Sequence, residues 1–294
     1  VVRSKPFEHF FMPVLTLAEI QHALTTIRAD VVRTSCNYSS TLSQITGAKL
    51  YVKSEVEQFT ASFKERGALY KLLSLGKDER AKGVVAMSAG NHALALSYHA
   101  QRLGIPATLV MPRHTPTVKA EDTRRFGARV MLHGDSLTEA RAHAYDIANK
   151  EGLIFVHPYD DLDVIRGQGT VALELLEQQP DLDVMVVPIG GGGLISGMAV
   201  VAKALKPSIK VIGVETERFA SMKQALAGEP IQCGRTTLAE GIAVKEPGEL
   251  TLPLVRELVD DIQLVSEEHL ERAMLMLLEI EKTVVEGAGA AALA

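Results

Sequence analysis

Tryptophan is absent from this 294-residue chain, and Phe and Tyr together bring the aromatics to only 5%. Single-stranded nucleic acid is gripped on aromatic platforms inside basic grooves, so that class of partner is disfavoured. Charge agrees: 31 basic against 36 acidic residues give a net charge of −5, with no basic stripe, which argues against nucleic acid altogether. No apolar run approaches the roughly 20 residues that a membrane helix needs. Val1–Phe11 mixes Arg3, Lys5 and Glu8 with apolar residues and lacks the apolar core of a signal peptide. The two cysteines, Cys36 and Cys233, are far apart and form no CxxC, which suits a reducing compartment and excludes a cysteine-rich zinc site. Internal repeats and low-complexity linkers are missing too. These absences leave a soluble cytoplasmic enzyme or binding protein, with no membrane and no nucleic-acid partner.

What is present is alternation. Short β-branched runs recur at Leu50–Lys53, Val84–Met87, Ala107–Met111, Arg129–Leu132, Ile154–Val156, Val184–Pro188, Lys210–Val214 and Ile262–Val265. Amphipathic stretches fall between them at Leu17–Arg28, Arg66–Leu75, Ala93–Leu103, Lys119–Phe126, Ser136–Lys150, Val164–Gln178, Leu194–Leu205 and Glu267–Lys282. Strand–helix alternation at this spacing predicts α/β architecture with mostly parallel sheets covered by helices. Ligands of such sheets lie beyond the carboxyl ends of strands, so the junctions after Met87 and Pro188 are where chemistry is expected. The last stretch, Thr283–Ala294, is a small-residue helical pattern with no stop signal, as if the chain breaks off inside an element.

Three constellations carry chemistry. Gly190-Gly191-Gly192-Gly193-Leu194 joins an apolar strand to an apolar helix, where free N–H groups and the positive end of the helix dipole suit a phosphate. Leu194 and Ile195 stand where a P-loop needs Lys and Ser/Thr, so nucleoside triphosphate binding of that type is excluded. Glu215, ending the next strand, is placed like a ribose-binding acid, and keeps a nicotinamide-dependent oxidoreductase as the alternative from another class. Lys64, in Ser62-Phe63-Lys64-Glu65-Arg66-Gly67-Ala68, stands near a helix start. The dipole there, desolvation and neighbouring Arg66 all favour the neutral amine that attacks carbonyls. Ser88-Ala89-Gly90-Asn91-His92 can open a helix towards a carboxylate. Their bland counterparts are a flexible turn, a solvated surface lysine and an N-cap. His92 reads as a packed helix residue.

An anion cradle, an activatable lysine and a carboxylate turn are the minimum kit of a pyridoxal-phosphate enzyme. At these segments the chain resembles the serine/threonine dehydratases, which are fold-type II pyridoxal-phosphate enzymes. The motifs are Ser-Phe-Lys-Glu-Arg-Gly-Ala, Ser-Ala-Gly-Asn-His-Ala, Pro-Ile-Gly-Gly-Gly-Gly-Leu and Val-Glu-Gly-Ala-Gly-Ala, in the family's order and spacing from about Leu15 to the chain end. His157–Asp161, Gly167–Thr170 and Leu258–Asp261 resemble further family segments.

The resemblance implies two three-layer α/β domains of the tryptophan-synthase-β type. The large cofactor-binding domain would span 1–75 and 154–294, and a small domain of 76–153 would close over substrate. It implies pyridoxal 5'-phosphate as cofactor, joined to Lys64, which also moves the α-proton. Phe63 would lie beside the ring, Asn91 would bond its phenolic oxygen, Gly190, Gly191, Gly192, Gly193 and Leu194 would hold the phosphate, and Gly241 and Glu286 would lie near the ring. Ser88, Ala89, Gly90, Asn91 and His92 would surround the substrate carboxylate. The implied activity is β-elimination of water from L-threonine, and from L-serine, to a 2-oxo acid and ammonia. The implied assembly is a homo-oligomer, dimer or tetramer.

Departures sharpen this. Serine racemases carry a second serine where this chain has Ala89, and alanine exchanges no proton, so racemisation is disfavoured. Such racemases bind a divalent metal near Glu215, but Phe219 and Ser221 supply no second acid. No metal is expected, and Glu215 is the weak candidate ligand. The family's late Ser-Gly-Gly-Asn-like segment, which faces the pyridine nitrogen, does not occur before Ala294. One methyl distinguishes threonine from serine by only about 1–3 kcal/mol. A 3-hydroxyaspartate dehydratase needs an extra cation, for which Arg113, Arg124 and Arg166 are candidates. A non-catalytic amino-acid sensor on the same scaffold is a third class.

Overall fold

Parallel strands need crossover connections, and here almost every crossover is a helix. The computed structural model describes residues 15–294; the reading of Val1–Phe11 lies outside the described residues, as does the start of the large domain. In chain order the elements are α1 (Leu17–Ile27), β1 (Cys36–Tyr38), α2 (Ser40–Thr46), β2 (Tyr51–Lys53), α3 (Lys64–Ser74), α4 (Lys77–Lys82), β3 (Val84–Met87), α5 (Asn91–Leu103), β4 (Ala107–Met111), α6 (Thr117–Arg125), β5 (Arg129–Leu132) and α7 (Leu137–Glu151). There follow β6 (Ile154–Phe155), α8 (Leu162–Gln178), β7 (Val184–Pro188), α9 (Gly193–Leu205), β8 (Lys210–Thr216), α10 (Ser221–Ala227), α11 (Thr251–Leu258), β9 (Asp261–Val265), α12 (Glu267–Glu279) and α13 (Gly287–Ala290).

The helix starts are written locally. Thr16 and Glu19 form a capping box at α1, Ser136 caps α7, Asp161 accepts from Asp163 N and Val164 N at α8, and Ser266 caps α12.

Two parallel sheets result. One runs β5-β4-β3-β6, with Val84 opposite Ala107 on one side and Ile154 on the other. The other runs β7-β8-β9, and β1 and β2 form a separate antiparallel pair. Val84, Val85 and Ala86 are all buried, as a central strand covered on both faces requires. The first sheet reverses direction at β3: the chain steps outward to β4 and β5, then returns to place β6 on β3's free side. That switch point opens a crevice beyond the carboxyl ends of β3 and β6, between Ser88 and His157.

α9 is apolar around its circumference and sits inside the larger core, beside α8. A Cβ on Gly197 would lie 2.7 Å from the Gly169 nitrogen, so only glycines permit that crossing. α3 is shared by both cores. Its Ala68 and Leu72, with Leu75 just after it, pack into the β3–β4 core, while Gly67 meets α8.

β6 pairs with β3 although it lies past residue 153, and the apolar face of α3 packs into that sheet's core although it precedes residue 76.

Candidate active site

Lys64 is the first residue of α3, its amide bonded to Ser62 Oγ at 3.2 Å. Its side chain turns inward. Nζ donates to the Pro158 carbonyl at 2.6 Å and lies 5.3 Å from the Phe63 ring centre. Burial pushes the amine down to about 8, towards the neutral form. Arg66 does not assist, contrary to expectation. It is fully buried, pairs with Glu55 and with Glu174 at 2.7–2.9 Å, and its charge is matched there.

The Pro158 carbonyl is aimed by its neighbour. His157 Nδ1 accepts from Asp160 N at 2.8 Å and Tyr159 N at 3.4 Å, which closes a tight turn and places the imidazole proton on Nε2. Burial pushes His157 down to about 4, so it stays a neutral acceptor. Asp160 continues outward to accept from Glu249 N and Leu250 N at 2.9 Å. Beyond the family likeness of His157–Asp161, no local signal in the sequence marks this turn.

Tyr159 links the lysine to the glycine loop. A Cβ on Gly191 would fall inside its ring, and one on Gly193 would sit 2.8 Å from its carbonyl oxygen. Gly192 has φ +94° and no room against Met222 and Thr251. The glycines are thus required by protein packing on both sides as well as by any anion. The amides of Gly190 to Leu194 donate to no group among the described residues, which leaves five N–H groups beside the start of α9.

The third constellation joins from the other sheet. Asn91 opens α5, and its Nδ2 donates to Glu286 Oε1 at 2.7 Å. A Cβ on Gly241 would lie 3.1 Å from that oxygen, and one on Gly190 would lie 3.6 Å from the Gly241 carbonyl. Asn91, Glu286, Gly241 and Gly190 therefore form one wall. Ser88 Oγ accepts from Gly90 N at 3.3 Å, and the space beside Gly90 is open. Ala89 packs partly into the small core. His92 is buried, with Nε2 at 3.3 Å from the Val156 carbonyl; burial and then Lys64's charge push it down to about 3.

A buried amine inclined to neutrality, five free amides and an amide side chain at the opposite wall fit an aldehyde carrying a phosphate and a phenolic oxygen. The chain matches the family model described as pyridoxal-phosphate dependent enzyme over residues 27–294. This chain belongs to the pyridoxal-phosphate-dependent enzymes. Within the family it is 50% identical over 284 residues to the L-threonine ammonia-lyase of Thermotoga maritima, covering 96% of this chain and 71% of that one. It is 44% identical to the catabolic L-threonine dehydratase of Escherichia coli, covering 96% and 86%. Among solved structures, maize serine racemase superposes with a TM-score of 0.90 at 38% identity, over 95% of this chain and 86% of that one. The fold-type II architecture and the cofactor follow from membership.

The nicotinamide alternative is thereby overturned, and the geometry agrees. Glu215 is fully buried and accepts from Met222 N at 2.8 Å and Lys223 N at 2.9 Å, capping α10 instead of facing a ribose. Among the described residues no group of three or more His, Cys, Asp or Glu could hold a metal. Of the extra cations, Arg124 pairs with Glu121, and Arg166 with Asp163 and Glu19.

Proposed function

We propose that this enzyme is an L-threonine ammonia-lyase, which converts L-threonine to 2-oxobutanoate and ammonia, and L-serine to pyruvate and ammonia. The observation that carries the proposal is the Lys64 amine, buried, aimed by the Pro158 carbonyl and joined through Tyr159 to the glycine loop. Likeness to two threonine-cleaving enzymes supports the substrate.

Pyridoxal phosphate, when bound, supplies an electron sink that acidifies the substrate α-carbon. This chain's residues do the rest. The amides of Gly190–Leu194 would grip the phosphate, Asn91 would donate to the phenolic oxygen, and Phe63 would lie beside the ring. The Ser88–His92 turn would hold the substrate carboxylate. Lys64 Nζ, mostly neutral above about 8 and mostly protonated below it, would take the α-proton in its neutral form, and the β-hydroxyl would leave as water. The released enamine then gains water and loses ammonia, so that one threonine yields one 2-oxobutanoate and one ammonia. Ala89 offers no second proton donor across the substrate plane, which favours elimination over racemisation.

Residues 76–153, extended by β6, would form the small domain that closes over substrate. The enzyme would work in the cytoplasm as a homo-oligomer, dimer or tetramer. Among the described residues no helix is long and apolar enough to cross a membrane.

The test is direct. Borohydride reduction followed by peptide mapping should place the label on Lys64, and a coupled keto-acid assay should show turnover of threonine ahead of serine and 3-hydroxyaspartate. Label at another lysine, or inversion of serine without keto acid, would overturn the proposal.

A further inference from the structure

Residues 239–248 have almost no regular structure of their own, yet they touch the glycine loop, Tyr159 and Glu286. Gly241 faces Glu286, and Ile242 and Val244 close on Gly190. Gly248 N donates to Gly191 O at 3.3 Å, and the Glu246 carbonyl accepts from the Tyr159 hydroxyl at 2.9 Å. The backbone pairing inside the segment is limited to short-range turns, Ile242 N to Ala239 O, Ala243 N to Glu240 O and Val244 N to Ile242 O. Something else must hold it against the small sheet.

Two cations from the helices of that sheet do so. Lys119 on α6 reaches Glu240 at 2.7 Å, and Arg141 on α7 reaches Glu246 at 2.8 Å. Both pairs cross from the β5-β4-β3-β6 unit to the segment that lines the glycine loop. Neither cation touches the glycine loop, Lys64 or Asn91.

We infer that Lys119 and Arg141 are positioning residues, whose ion pairs with Glu240 and Glu246 fix the 239–248 segment and so couple the placement of the small unit to the grip on the cofactor phosphate. The inference rests on the cofactor assignment but not on threonine as substrate.

Both pairs are solvent-exposed, with the acids 72% and 59% accessible, so each is weak and open to screening. Between about 0.02 M and about 0.5 M salt the screening length falls from about 20 Å to about 4 Å. Affinity for pyridoxal phosphate in the wild-type apoenzyme, titrated in tetramethylammonium chloride, should weaken about five-fold across that range, the upper worth of one exposed pair. Lys119→Met with Arg141→Met keeps most of each apolar stem. The double variant should start at the weakened affinity and show a shallower salt response than the wild type. Amide hydrogen exchange of 239–248 in the apoenzyme should quicken in the double variant and at high salt in the wild type, with α8 and α9 unchanged. Lys119→Glu combined with Glu240→Lys should restore protection.

Equal salt slopes in wild type and double variant, or unchanged exchange in 239–248, would overturn the inference. If affinity and exchange behave as stated while threonine yields no keto acid, the substrate proposal falls and this one stands.

Discussion

A buried lysine with no carboxylate partner is an unusual residue, and its cost is measurable. Lys64 in the folded apoprotein titrates near 8, against 10.5 for a free side chain. The unfolded chain therefore holds more proton than the folded one between those values, and stability rises with pH through that window. Below about 8 the folded state carries the full penalty of a buried ammonium. Lys64→Met should accordingly raise the melting temperature of the apoprotein at pH 7, and the gain should shrink towards pH 10. A melting-temperature difference between variant and wild type that stays constant with pH would show that Lys64 is solvated. Glu215 carries the opposite sign. Burial lifts its carboxyl to about 7 from 4.5, so the folded state binds the extra proton and stability falls as pH rises between the two. Glu215→Gln keeps one acceptor for the α10 amides and carries no charge. In that variant the decline between pH 5 and 7 should flatten, as urea titrations at stepped pH would show.

The pitch of α3 against α8 decides where Lys64 points. Gly67 and Gly167 put backbone on backbone: a Cβ at Gly167 would lie 2.5 Å from the Arg66 carbonyl oxygen and 2.6 Å from Gly67 Cα. Gly167→Ala should cost about 3 kcal/mol, because α3 cannot yield without dragging the buried Arg66 cluster. It should also weaken pyridoxal-phosphate binding, which a spectroscopic titration would report; loss of stability with unaltered binding would detach α3 from the site. Most of the parallel strands and the long helices were legible because their apolar patterns are local: Val84–Met87, Ala107–Met111, Arg129–Leu132 and Val184–Pro188 stand as the apolar runs mark them. β1, α2, α4 and α10 were not, since they are short and their burial is set by distant partners. Ser39, for example, caps α2 and also bonds Glu281. The same limit applied within the site. Arg66 looked like a neighbour of Lys64 because it follows two residues later, whereas its partners, Glu55 and Glu174, are 11 and 108 residues away. The four glycines were recognised for their freedom, but nothing near them in sequence announces Tyr159 or Thr251, against which they pack.

The whole molecule has two principal cores, one around α8, α9, β7 and β8 and one around β3, β4 and α5, and the proposed cofactor site would draw residues from both. Lys64 and the glycine loop flank the junction from one side, and the Ser88–His92 turn from the other. A ligand that binds only the assembled arrangement stabilises it by about 2.7 kcal/mol when present at about 100 times its dissociation constant. In the apoprotein the two cores communicate mainly through α3 and the exposed pairs of Lys119 and Arg141, so they should melt at separable temperatures. Pyridoxal phosphate should merge them into one transition, displaced upward by about 5–10 °C for units of this size. Gly192→Ala supplies the control, because φ +94° and contacts of 2.7–2.8 Å to Met222 and Thr251 would distort the glycine loop without touching the β3–β4 core. Scanning calorimetry of that variant should show the apoprotein's two steps even at saturating cofactor for the wild type. A single two-state transition in the wild-type apoprotein would mean that the cores are already welded together without the cofactor, and that closure of one over the other is not a separate motion.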